Sequence, residues 1–105
     1  MNQMYRQGDV LLIKAEGVDL TRGVRVKPEA GRNILARGEA TGHHHSVDVA
    51  ASQLFSIDGK MVLVVDEPAT LDHQEHGAIE IDLGVWWVVR QQEYSRGEVR
   101  RVIQD

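Results

Sequence analysis

All five histidines of this 105-residue chain, His43, His44, His45, His73 and His76, fall within residues 41–82. Imidazole is the side chain that ligates divalent metals as a neutral donor and moves protons near neutral pH. In the first group, R-G-E-A-T-G-H-H-H-S-V-D-V over 37–49, a glycine-bracketed turn leads into alternating residues. On a strand this puts His43, His45, Val47 and Val49 on one face and His44, Ser46 and Asp48 on the other. Two rings at i and i+2 both reach an ion lying over the sheet. The second group, A-T-L-D-H-Q-E-H-G over 69–77, spaces His73 and His76 closely enough to ligate together from a turn or bulge, and Glu75 adds a carboxylate. Together they suggest a divalent-metal site drawing on His43, His45, His73 and His76, with Glu75 as ligand or as the acid/base of a metal-activated reaction. His44 points away and is expected to be exposed or to sit behind the site. Zinc, nickel, manganese and iron all suit nitrogen-rich, carboxylate-assisted ligation. The expectation requires two segments some thirty positions apart to meet.

Charge follows the histidines. Net charge is −4, and it partitions as +2 over residues 1–40, −7 over 41–82 and +1 over 83–105. An acidic, histidine-bearing middle favours a cation and argues against a generic phosphate-backbone binder. The C-terminal stretch from Arg90 to Arg101 holds four arginines and Tyr94, but Glu93 and Glu98 interrupt them, which reads as a solvated hairpin rather than a nucleic-acid surface. With no cysteine, disulfides, thiolate metal sites and cysteine nucleophiles are excluded. No serine lies in G-x-S-x-G, and both Gly-rich phosphate-loop patterns are absent. The longest apolar runs are Met61 to Val65 and Val85 to Val89, far short of the roughly 18 residues of a membrane span. The first apolar run, Val10 to Ile13, is too short for a signal-peptide core, so a cytoplasmic protein is expected.

The elements that must position the histidines read as β throughout. Apolar residues come in short runs broken by turn formers every 8–12 residues or so, and none sustains a helical stripe. The pattern predicts strands near 9–15, 23–27, 32–37, 43–49, 53–57, 61–66, 69–73, 78–83, 85–92 and 98–103, in a single domain over 1–105. Asp58-Gly59 between two apolar runs predicts a tight hairpin. Ile79, Ile81 and Leu83 alternate with acidic residues, so their strand buries one face, and Gly84 marks a bend. Val85-Trp86-Trp87-Val88-Val89 is apolar on both faces, as a central strand would be. Because neighbours point oppositely, Trp86 and Trp87 cannot fill the same core, and one of them should meet a second sheet, a pocket or another copy of the chain.

Two resemblances accompany this reading. An H-x-H entering a strand after a glycine-rich turn, followed later by Ile81-Asp82-Leu83-Gly84-Val85-Trp86, resembles the cupin layout of a small β-barrel with inward histidines. His43 and His45 match its first histidine pair. Val49 and Ala50 stand where its glutamate is expected, Trp86 follows the turn where its last histidine is expected, and His73, Glu75 and His76 are the available substitutes. More extensively, Q-G-D-V-L-L (7–12), G-E-A-T-G-H-H-H (38–45), H-Q-E-H-G (73–77) and R-Q-Q-E-Y (90–94) resemble a family of short, functionally uncharacterised bacterial and phage-associated proteins. That resemblance implies that the histidine blocks belong together and implies no activity.

The expectation is therefore an all-β, mostly antiparallel domain, a small cupin-like barrel or β-sandwich, carrying a histidine-rich metal site. The competing reading is a non-enzymatic interaction or scaffold module, with homo-oligomer contacts through Trp86 or Trp87 and incidental surface histidines.

Overall fold

The structure, a computed structural model, describes residues 3–37, 43–74 and 76–90. Within them the fold is all-β and mostly antiparallel, and the strands form open sheets packed as a sandwich rather than a closed barrel. The strands are β1 (Met4–Gln7), β2 (Val10–Lys14), β3 (Val24–Arg25), β4 (Arg32–Arg37), β5 (His44–Asp48), β6 (Ser52–Ile57), β7 (Lys60–Val65), β8 (Ala69–Leu71), β9 (Ile79–Ile81) and β10 (Gly84–Arg90). A single 3-10 turn, Leu20–Arg22, precedes β3. Among the described residues no helix is long and apolar enough to cross a membrane. The strand expected over 98–103 and the arginines beyond Arg90 lie outside the described residues.

Six strands form the main sheet in the order β1-β2-β10-β7-β6-β3, while β4-β5 and β8-β9 are separate antiparallel pairs. β10 sits between β2 and β7, as its two-sided apolar sequence requires. Period-two alternation then sorts its side chains into two cores. Trp86 packs with Leu12, Leu54, Leu63 and Val65 against Leu35, Val47, Leu71 and Ile81 of the smaller pairs. Trp87 packs with Leu11, Ile13, Val62 and Val89 on the opposite face, beneath Val18 and Leu20 of the β2–β3 connection. Trp86 is 0% and Trp87 8% exposed within one chain, so the second tryptophan meets its own connecting loop. The Asp58-Gly59 hairpin forms as expected, with φ +51° and +80° at the two turn residues.

β1 is the strand that periodicity does not reveal. Met4-Tyr5-Arg6-Gln7 is an edge strand with three exposed or half-exposed residues, and it pairs with β2 across a two-residue turn, Gly8-Asp9. Gly8 takes φ +59°, a conformation glycine adopts without a Cβ penalty.

The two histidine segments are joined by backbone. Ser46 N donates to Asp72 O at 3.0 Å and Asp72 N to Ser46 O at 2.9 Å, the closely spaced bond pair of an antiparallel bridge. This register places His45 opposite His73 and His44 opposite Gln74. Arg32 of β4 fastens the bridge from one side: Nε bonds Ser46 Oγ, and Nη2 bonds both Ser46 O and Asp72 Oδ2. A bulge between Ile34 and Ala36 shifts the β4–β5 register beside His45, a local distortion that re-aims side chains.

Replacing Arg32 by Ala removes three hydrogen bonds at a half-buried position, each worth roughly 0.5–1.5 kcal/mol net and more where charged. The expected result is a loss of about 2 kcal/mol in global stability, with a larger fall in amide hydrogen-exchange protection at Ser46 and Asp72 than at Leu63 in the main sheet.

Candidate functional site

Four imidazoles gather where β5 meets the segment after β8. Ring centres of His45 and His73 are 4.3 Å apart, those of His73 and His76 4.5 Å, those of His43 and His73 5.9 Å, and those of His45 and His76 6.0 Å. Two imidazoles on one tetrahedral ion, with bonds of about 2.0–2.1 Å, have centres about 5 Å apart. The four separations lie on either side of that value, and the rings brought together are those of the four histidines singled out from sequence. His44 stands apart as expected: its amide donates to Gln74 Oε1 at 2.8 Å and its ring Nε2 lies 3.3 Å from Gln74 Nε2. Glu75 lies outside the described residues. Trp86, which follows Gly84 where the cupin layout would place a histidine, is buried and donates its indole N–H to Asp82 O at 3.1 Å.

The donor atoms are less converged than the rings. Among the described residues no group of three or more His, Asp or Glu side chains aims its donors at one point that an ion could fill. His73 shows why. Its Nδ1 accepts from the His76 amide at 3.1 Å, so the neutral ring carries its proton on Nε2 and presents an N–H edge there. His45 is held by a different network. Its Nδ1 lies 2.8 Å from Gln7 Oε1, and Gln7 Nε2 donates to Leu71 O and Gly77 O, both at 2.9 Å. Two carbonyl acceptors fix which end of the amide is nitrogen, so Oε1 faces the ring and Nδ1 must donate. The neutral ring then leaves its lone pair on Nε2, 3.4 Å from Asp9 Oδ1.

The β1–β2 turn thus supplies three consecutive residues to the cluster, and sequence reasoning assigned none of them to it. Gln7 orients His45. Gly8 makes room for His76: a Cβ there would lie 2.6 Å from His76 Nε2. Asp9 faces His45 with one carboxylate oxygen and accepts from Arg90 Nη2 at 3.2 Å with the other. The available signal was the Q-G-D run itself, whose buried glutamine and turn glycine are not explained by hairpin formation alone.

Electrostatics keep the central ring neutral. Burial of His45, only 3% exposed, is the largest influence on its pKa; the neighbouring His73 ring adds to it and Asp9 opposes it, and the result is pushed down to about 4. For Asp9 burial acts to raise the pKa, but the hydrogen bond and charge of Arg90 outweigh it and hold the carboxyl below its ordinary value.

Two measurements check this arrangement. His45 titrates near 6.5 when unfolded and about 4 when folded, so between these values the unfolded chain binds more protons. The metal-free protein should keep this contribution above about pH 6.5, lose it progressively as pH falls toward 4, and lose no more from His45 below that; its full size is on the order of 3 kcal/mol. Chemical denaturation across pH 4–7 with wild type and His45→Gln reads it, since the variant should show a shallower slope. Gly8→Ala should cost about 1–3 kcal/mol through backbone strain and displacement of His76, and shift the His76 ring resonances before those of the main sheet.

Comparison with curated proteins and with solved structures finds no match. A family described as "Domain of unknown function (DUF8820)" matches residues 6–92, which takes in the β1–β2 turn, both histidine segments and β10. With most of its length inside that match, the chain belongs to this family.

Proposed function

We propose that this protein binds a divalent metal ion through its histidine cluster, with His43, His45, His73 and His76 as the donor set. The observation that carries the reading is the gathering of four imidazoles from two segments about thirty residues apart, at ring separations of 4.3–6.0 Å. Hydrogen bonding alone does not require four rings in one place. A neutral His45 supports the reading as well, because only an unprotonated nitrogen ligates. Ligation through His73 Nε2 requires the ring proton to move to Nδ1, which breaks the bond from the His76 amide. The described arrangement therefore corresponds to a metal-free protein whose second segment readjusts on loading. Glu75, beside His76 in sequence, is the carboxylate available to complete the donor set or to move a proton in a water-activating reaction at such a centre. Zinc, nickel, manganese and iron remain the candidate ions.

Untagged protein purified without chelator, then dialysed, tests this by elemental analysis. The expectation is close to one equivalent of a single transition metal per chain in wild type and under a tenth of that in His43→Ala/His45→Ala. Chelation should lower the melting temperature of wild type by several degrees and leave the double variant unmoved. Metal absent from wild type after growth in supplemented medium, or retained in full by the double variant, would refute the assignment.

A further inference from the structure

We propose that Asp9 is a metal ligand alongside His45, and that Gln7 is the positioning residue that selects Nε2 as the ligating atom of that histidine. This rests on the metal-binding reading above and adds to it a carboxylate from the opposite end of the described chain.

The argument begins with the glutamine. Gln7 is buried, and its amide nitrogen is committed to two backbone carbonyls, Leu71 O and Gly77 O, which lie on either side of the second histidine segment. Its oxygen is thereby turned to His45 Nδ1 at 2.8 Å. The neutral form of a His45 that donates at Nδ1 has its one lone pair on Nε2, and that atom faces a carboxylate oxygen at 3.4 Å. Gln7 and Arg90 thus turn one nitrogen donor and one oxygen donor toward the same space, where a cation bound by both takes the place of a proton shared between them. The spacing suits it: nitrogen and oxygen donors of one tetrahedral ion, at about 2.0–2.2 Å each, stand about 3.3 Å apart. Arg90 holds the other Asp9 oxygen, so Oδ1 stays directed at the ring. A metal-bound histidine that donates its second N–H to a fixed acceptor is the usual supporting arrangement, and here an amide oxygen serves as that acceptor.

The experiment pairs nitrogen-15 NMR of the histidine rings with zinc titration, using wild type, Asp9→Asn, Gln7→Leu and Gln7→Glu. Metal-free wild type at pH 7.5 should show His45 protonated at Nδ1 and bare at Nε2, and zinc should move the Nε2 resonance while Nδ1 keeps its proton. That result needs no variant to fold. Asp9→Asn, which preserves shape, should weaken zinc binding at least tenfold and change the visible spectrum of the cobalt(II) form. Gln7→Leu should lose the Nδ1–H preference and weaken zinc 10–100-fold. Gln7→Glu should keep that preference, although it strips the same two carbonyls of their donor and buries a charge; a purely structural glutamine would make it no better than leucine. His45 found as the Nε2–H form or as imidazolium overturns the proposal, as does Asp9→Asn with wild-type zinc affinity. Wild type that binds neither zinc nor cobalt overturns the metal reading together with this one, whereas zinc held equally by wild type and Asp9→Asn overturns this one alone.

Discussion

The cluster exists because of one pair of backbone hydrogen bonds, between Ser46 and Asp72. β5 and β8 belong to different two-stranded pairs, and the bridge just after β8 sets the register between them. In antiparallel pairing, position 45 then falls opposite 73, which turns two chain-distant imidazoles into cross-strand neighbours. A slip of one residue would turn the histidine set of β5 to the wrong side. Arg32 guards against the slip by binding both bridge residues with one planar guanidinium, which bonds only when Ser46 and Asp72 are aligned.

The register leaves the cluster open on one side, and the β1–β2 turn closes it. Gln7, Gly8 and Asp9 serve different ends there: an oriented amide, a missing side chain and a directed carboxylate. Gln7 is also a tether. Its bonds to Leu71 O and Gly77 O span the loop that carries His73 and His76, so the edge of the main sheet is tied to the smaller pairs through a histidine-bearing loop. Burial of a polar glutamine costs free energy unless each polar group is paired, and here both amide hydrogens and the oxygen are used.

Much of this was legible in the sequence, for reasons that differ by element. β10 is readable because five apolar residues in a row fit only a strand covered on both sides, and the opposite burial of Trp86 and Trp87 follows from period two. The β6–β7 hairpin is readable because Asp58-Gly59 supplies two positive φ angles. That His43 and His45 both meet His73, while His44 turns to Gln74, accords with the same alternation. β1 was not readable, since an edge strand wets most of its side chains and loses the apolar alternation that announces a strand. Asp9 was not readable as a site residue, because an acidic residue after a turn glycine has the composition of any hairpin tip. Its role depends on a contact with His45 that only the tertiary fold creates.

The charge pattern offers a sharper case of the same point. Residues 41–82 carry −7, which suggests that their acidic residues accompany the histidines toward a cation. In the fold Asp72 turns to Arg32, Asp58 to Arg22, and Asp48 caps the following turn by accepting from Ala50 N. Among the described residues the carboxylate that meets a cluster ring is Asp9, from the net-basic segment 1–40, and it arrives with its own arginine. Net charge summed along a chain averages over groups that folding sends to different faces, and a few ångströms of separation in a screened medium decide which of them interact. At His45 burial and the neighbouring rings of His73 and His76 lower the pKa while Asp9 opposes them, and burial, with those rings, prevails.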